Sequence, residues 1–256
     1  MSFMNPGREV ITGLLGALRA GAVRVIDLTH SLDEQAPYWP DGREQSSFSA
    51  KVASTYESDG GFAREVTMSE HSGTHLDAPV HVVPGGATVD QLPVGGFLSP
   101  ACVVDVRDAV AADPDYRVTV TDLERFIKAH GPVPRGGCVL FHTGWAARWP
   151  SQQQFLNEDA EGGKHFPGIS WEVARFLRDE AHPVGVGIDT PSIEYGPTQD
   201  LVVHRLLLGA GIYILENVAN LDLVPPTGAA LIALPLKLLG GSGSPARVLA
   251  LVPNQT

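Results

Sequence analysis

The sequence predicts an α/β fold with a mixed sheet, in one domain spanning residues 1–256. Three observations carry this expectation. Runs rich in Val, Ile and Leu recur along the chain, as strands covered on both faces require. Helical patterns fall between them. The chain has 256 residues and only 18% charged residues, enough apolar material for one large core, and no linker divides it.

The elements follow in order. The segment "MSFMNPGREVITGLLGALRAG" reads as a helix with one amphipathic face. It lacks the basic stretch followed by an apolar run that marks a signal peptide. "VRVIDL", "ACVVDV", "GCVLFHTG", "VGVGID", "IYILENV", "ALIALPL" and "RVLALV" read as strands. "TDLERFIKAH" is helical, with Thr121 and Glu124 at capping-box spacing. The residues from Ala147 to Pro167, rich in Gln, Asn, Asp, Glu and Gly, read as a long surface excursion. Loops of that length often serve as lids or binding loops. In "SWEVARFLRDE", Ser170 is a candidate N-cap. "QDLVVHRLLLGAG" is apolar enough for a buried helix that Gly209 could end. "LGGSGSPAR" reads as a flexible stretch.

Composition excludes several functions. The net charge is −11 and no Lys/Arg run occurs, which disfavours nucleic acid. Cys102 and Cys138 lie in strand-like runs without a CxxC pair, as expected in a reducing compartment. No run approaches the roughly 18 apolar residues of a membrane span. These features together predict a soluble cytoplasmic protein. No serine sits in G-x-S-x-G, and "VPGGATVDQLPVGG" lacks the Gly-Lys-Ser/Thr end of a P-loop.

The stretch "HSGTHLDAPVH", His71 to His81, gathers three of the nine histidines. Gly73 and Pro79 argue against a helix. On a straight strand His71 and Asp77 would stand roughly 20 Å apart, far too distant for one ion. Gly73 is the natural bend, since glycine accepts backbone angles that other residues avoid. A set of two imidazoles and a carboxylate, without thiolate, suits Zn²⁺, Mn²⁺ or Fe²⁺. Three protein ligands leave an open position, the catalytic arrangement. The bland alternative is a group of hydrogen-bonded loop histidines.

The same stretch resembles the H-x-G-T-H-x-D-x-P-x-H signature of the cyclase-like metal hydrolases, a family that includes bacterial kynurenine formamidase and isatin hydrolase. "DLTHSL", "PYWPDG", "HTGW", "GIDTPSIE", "VHRLLLGAGIYILENVANL" and "GGSGSPARVLAL" extend the likeness over most of the chain. The resemblance implies a swivelling β/β/α-type fold and a homodimer or higher homo-oligomer. It makes His71, His75 and Asp77 the metal ligands and His81 the catalytic histidine. His204 and Glu216 become a further pair, which either orders the water and substrate or holds a second ion bridged by Asp77. The implied cofactor is one divalent ion, Mn²⁺ or Zn²⁺. Trp39, Phe62 and Trp145 are the substrate-pocket candidates. The implied reaction opens the C–N amide bond of a small aromatic cyclic amide. An arylformamidase acting on N-formylkynurenine, a lactone hydrolase or cyclase, and a non-catalytic metal-binding protein are the alternatives. His81 speaks against the last, because a binder needs no spare proton-transfer group. The "SIE" of Ser192 to Glu194 departs from the more usual Ser-x-Asp.

Overall fold

The computed structural model of the chain describes residues 6–40 and 48–254. The first five residues of the N-terminal segment and Asp41 and Gly42 of "PYWPDG" lie outside the described residues. The strands are β1 (Val23–Asp27), β2 (Phe48–Ser54), β3 (Ala63–Met68), β4 (His75–Asp77), β5 (Leu98–Asp105), β6 (Arg117–Val118), β7 (Cys138–His142), β8 (Gly168–Ile169), β9 (Gly185–Ile188), β10 (Tyr213–Glu216), β11 (Ala229–Pro235) and β12 (Gly243–Pro253). The helices are α1 (Pro6–Arg19), α2 (Tyr56–Asp59), α3 (Arg107–Ala112), α4 (Val120–His130), α5 (Gln152–Leu156), α6 (Trp171–Phe176) and α7 (Val202–Gly209). All seven apolar runs read as strands are strands.

The main sheet is mixed, in the order β1-β12-β11-β5-β7-β9-β10-β4. β5, β7, β9 and β10 are parallel to their neighbours in that series, and the outer pairings are antiparallel. β12 is long enough to pair with β1, β11 and β4, and its contact with β4 closes the sheet into a barrel. Alternation along each strand then builds two cores. Ala101, Val103, Cys138, Leu140, Leu215 and Leu76 belong to one. Cys102, Val104, Val139, Phe141, Val186, Ile188 and Ile214 belong to the other, with Leu123 and Phe126 of α4, Val173 of α6 and Leu207 of α7. Each such Leu or Phe stabilises the fold by roughly 1.5–3 kcal/mol.

Three local expectations are corrected. The capping box of α4 uses Thr119 and Asp122, not Thr121 and Glu124. Asp122 N donates to Thr119 Oγ1, and Thr119 N donates to Asp122 Oδ2. "LGGSGSPAR" is not a loose stretch throughout, because Gly243, Ser244 and Pro245 pair with β4. The excursion from Ala147 to Pro167 is not wholly on the surface. It contains α5, and Phe155, Leu156 and Phe166 are buried. Ser170 does cap α6, accepting from Val173 N. α1 forms as expected, but none of its residues is buried; Val10, Ile11, Leu14 and Leu15 face outward. Among the described residues no helix is long and apolar enough to cross a membrane.

Candidate active site

The site grows from the bend at Gly73. This glycine has φ +61°, a left-handed backbone that other residues rarely adopt, and a Cβ there would press on the end of the Leu32 side chain, 2.4 Å from its Cδ2. The chain then enters β4, where Leu76 points into one core and His75 and Asp77 take the opposite face. β4 pairs antiparallel with β10, setting His75 opposite Glu216 and Asp77 opposite Ile214. After Ala78 the chain makes a tight turn over Pro79–His81 rather than continuing extended, with proline at the first position. His81 is thereby swung back toward His71, and their rings are 4.2 Å apart.

Asp77 is the hub. Its Oδ1 lies 2.7 Å from His71 Nδ1 and 3.3 Å from His75 Nε2. Glu216 reaches His75 Nε2 at 3.5 Å and His204 Nε2 at 3.2 Å. His204, on α7, stands 3.7 Å from Asp77 Oδ2. The six histidine and carboxylate side chains expected to form the site are brought together. Of these, His75, Asp77, His204 and Glu216 are buried. His81 is more exposed, and neither of its ring nitrogens has a hydrogen-bond partner among the described residues.

The electrostatics gather positive charge around Asp77 and Glu216. Burial opposes charge on His75, but Asp77 and Glu216 overcome it and raise its pKa to about 9. Burial likewise opposes charge on His204, yet Glu194 and Glu216 raise it to about 10. Asp77 is held well below the usual carboxylate range by His75 and His71, against its burial. His81 is pushed below its ordinary value by burial, with Asp77 pulling the other way. Asp77 Oδ2 is buried without a hydrogen-bond partner. A buried carboxylate oxygen left unpaired is costly, and a positive ion there would satisfy it. Two sets of donors, His75 with Asp77 and Glu216, and His71 with Asp77 and His81, lie close enough for one ion each, with atoms within 4.8 Å of one another. The donors are nitrogen and oxygen only, as Mn²⁺ and Zn²⁺ accept.

His71, His75, His81, His204 and Glu216 line a cavity of about 870 Å³, with Asp77 buried behind them. Its walls include Tyr38, Trp39, Met68, Phe166 and Tyr195. Trp39 is half exposed and meets Phe166 edge-on at 6.2 Å. Lys164 Nζ lies 4.9 Å over the Trp39 ring and 3.4 Å from Glu158. The excursion thus supplies part of the wall: Phe155, Leu156, Gly162, Gly163, Lys164 and Phe166. A smaller cleft of about 490 Å³ contains Arg107 and His142, but Arg107 is already paired with Asp105 at 2.6 Å.

Two pocket expectations are corrected. Trp145 is 1% exposed and packs in the helix-side core, its indole N–H donating to Phe155 O at 2.7 Å. It does not line the cavity, because the left-handed Gly144 before it turns the chain inward. Phe62 sits beside the β2–β3 hairpin, exposed and stacked on Tyr56, and does not line the cavity either. Reading the sequence also missed four contributors. Glu194 binds His204 Nδ1 at 3.2 Å. Asn217 donates to Gly73 O at 2.7 Å. Ser242 and Glu70 stand behind His71. Only Glu194 carried a signal, as the unusual residue of "SIE".

Comparison with known proteins agrees with this geometry. The cyclase family model, described as "Putative cyclase", matches residues 26–195. An isatin hydrolase of Roseibium aggregatum is 34% identical over 261 residues, covering 96% of this chain and 98% of that protein. A kynurenine formamidase of Salinibacter ruber is 31% identical over 230 residues, covering 87% and 95%. The solved structure of isatin hydrolase A from Ralstonia solanacearum superposes with a TM-score of 0.90 at 34% identity, over 98% of this chain and 100% of that one.

Proposed function

The chain belongs to the cyclase family, and from that premise we propose that it is a metal-dependent hydrolase opening the C–N amide bond of a small aromatic cyclic amide, as an isatin hydrolase does. The observation that carries the reading is the gathering of His71, His75, His204 and Glu216 around Asp77, whose buried Oδ2 is unpaired, beside an aromatic-walled cavity.

His71, His75 and Asp77 are the proposed ligands, with Mn²⁺ or Zn²⁺ as the ion. His204 and Glu216 either order substrate and water or, with Asp77, hold a second ion. A bound divalent ion supplies Lewis acidity toward the amide carbonyl and toward water. The chain's own residues do the rest. His81, on the cavity wall, takes a proton from the attacking water at a free ring nitrogen and delivers it to the leaving nitrogen. Trp39 and Phe166 hold the aryl ring face and edge. Glu194 holds His204 in place. The products are a carboxylate and an amine on the opened ring.

Lys164 favours a second reading. Its ammonium on the cavity wall suits a substrate with a carboxylate, as in N-formylkynurenine, the formamide alternative. The proposal also takes the protein to work in the cytoplasm as a homodimer or higher homo-oligomer; the outward apolar residues of α1 support self-association.

The test is to load the purified protein with Mn²⁺ or Zn²⁺ and follow hydrolysis of isatin, N-formylkynurenine and simple lactones. Isatin opening that stops on chelation and returns with metal is the expected result. Turnover that survives complete metal removal, or none on any amide, would overturn it.

A further inference from the structure

We propose that Glu70 and Ser242 form a relay that fixes the ring tautomer of His71, so that this histidine meets the ion through Nδ1 while His75 and His204 face the centre through Nε2. The inference rests on the metal-centre reading above.

The chain of donors and acceptors runs one way. Glu70 Oε2 accepts the Ser242 backbone N–H and the Ser242 hydroxyl, each at 2.8 Å. A hydroxyl has one hydrogen, and this one goes to Glu70. Ser242 Oγ can therefore only accept from His71 Nε2, 3.0 Å away. Nε2 must carry hydrogen, and the neutral ring is left with its lone pair on Nδ1. Nδ1 lies 2.7 Å from Asp77 Oδ1, itself an acceptor. A hydrogen bond spans the pair in the absence of an ion, and a divalent ion displacing that proton would be held by both atoms.

The other two imidazoles are held the opposite way round. His75 Nδ1 faces the Gly73 carbonyl at 2.8 Å, which can only accept, so Nε2 is the free nitrogen beside Asp77. His204 Nδ1 faces Glu194, and its Nε2 is turned toward Glu216.

Packing leaves the His71 ring little freedom to invert. A Cβ at Gly243 would fall 2.5 Å from His71 Cε1 and 2.8 Å from Nδ1, so the ring lies against bare backbone. His81 closes on it at 4.2 Å. Ser242 and Gly243 arrive here because Gly243 pairs with Asp77 in the β12–β4 register. A hydrogen bond from the distal ring nitrogen toward a carboxylate orients a ligating imidazole and raises its basicity. Glu70 and Ser242 are thus positioning residues acting through His71.

The test loads protein carrying isotope-labelled histidine with an NMR-active cadmium isotope. Scalar coupling should run from cadmium to Nδ1 of His71, with a proton resolved on its Nε2. Coupling to His71 Nε2 overturns this proposal alone, whereas failure to bind any ion overturns the metal reading and the relay with it. Ser242→Ala should weaken cadmium binding about 10–100-fold in chelator competition. Ser242→Thr, which keeps the hydroxyl, should restore it. Unchanged affinity in a folded Ser242→Ala protein also overturns the relay.

Discussion

One carboxylate oxygen of Glu194 holds both the ring and the backbone of His204. Glu194 Oε1 lies 3.2 Å from His204 Nδ1 and accepts the backbone N–H groups of Val203 and His204 at 2.8 and 3.0 Å. α7 starts after Leu201, which offers no capping side chain, so Glu194 does the capping from the loop that leads into the helix. The helix and the imbedded imidazole are fixed by the same group.

Glu194→Ala should therefore have two effects. Loss of the cap should destabilise the protein by about 1 kcal/mol, read by denaturant unfolding. Release of the His204 ring should lower kcat/KM by about 10–100-fold. Glu194→Gln, whose amide oxygen can still accept, should recover much of the helix stability. Full activity in Glu194→Ala would remove the positioning role.

Metal removal should make stability depend on pH. His75 is raised to about 9 and His204 to about 10 without metal, against about 6.5 for histidine in the unfolded chain. A raised folded-state pKa stabilises fully below the unfolded value, and the contribution is lost as pH climbs through the folded values. The Tm of the chelated protein should fall between pH 6.5 and 10. With Mn²⁺ or Zn²⁺ bound, His75 as a ligand has shed its extra proton and the slope should flatten. A chelated protein whose Tm is level or rising across that window would contradict the balance of charges described.

Substrate binding should separate the three aromatic candidates. Trp39→Ala removes an exposed wall of the cavity and should raise KM by about tenfold with kcat little changed. Phe62→Ala should leave KM as it was, since Phe62 lies off the cavity. Trp145→Ala should cost about 3–5 kcal/mol of stability, because it empties a core position. Steady-state kinetics with thermal unfolding checks all three, and a KM effect confined to Phe62→Ala would reverse the assignment.

The legible part of the site was local. His71, His75, Asp77 and His81 fall within eleven residues, and the glycine that bends them is among them. The strands were legible because burial on both faces leaves continuous apolar runs, as in β7, β9 and β10. The rest depended on distant pairing. Ser242 meets His71 across 171 positions, and nothing in "GGSGS" shows that β12 will pair with β4 there. Trp145 was misplaced because its direction depends on the positive φ of Gly144, while "HTGW" records only its presence. In "TVTDLE" two overlapping frames offer a capping box, and the tertiary contact of Tyr116 with Asp122 favours the earlier one.

His81 decides whether the centre works as a hydrolase in the way described. Among the described residues its ring nitrogens have no hydrogen-bond partner, and it lines the cavity that the substrate would enter. It also lies with His71 and Asp77 in a group close enough to hold an ion, with donor atoms within 4.8 Å of one another. Proton transfer and ligation make different demands. If His81 moves protons, His81→Ala should keep its metal and bind substrate while kcat falls about 10²–10⁴-fold. The acid limb of the pH–rate profile should vanish with it, since protonating this ring would no longer stop the reaction. If His81 ligates, elemental analysis of the same variant should show metal lost along with activity. The first outcome is expected, because the proposed set of His71, His75 and Asp77 does not require it and because the turn at Pro79 aims His81 at the cavity. Near-normal turnover in His81→Ala would remove it from the mechanism altogether.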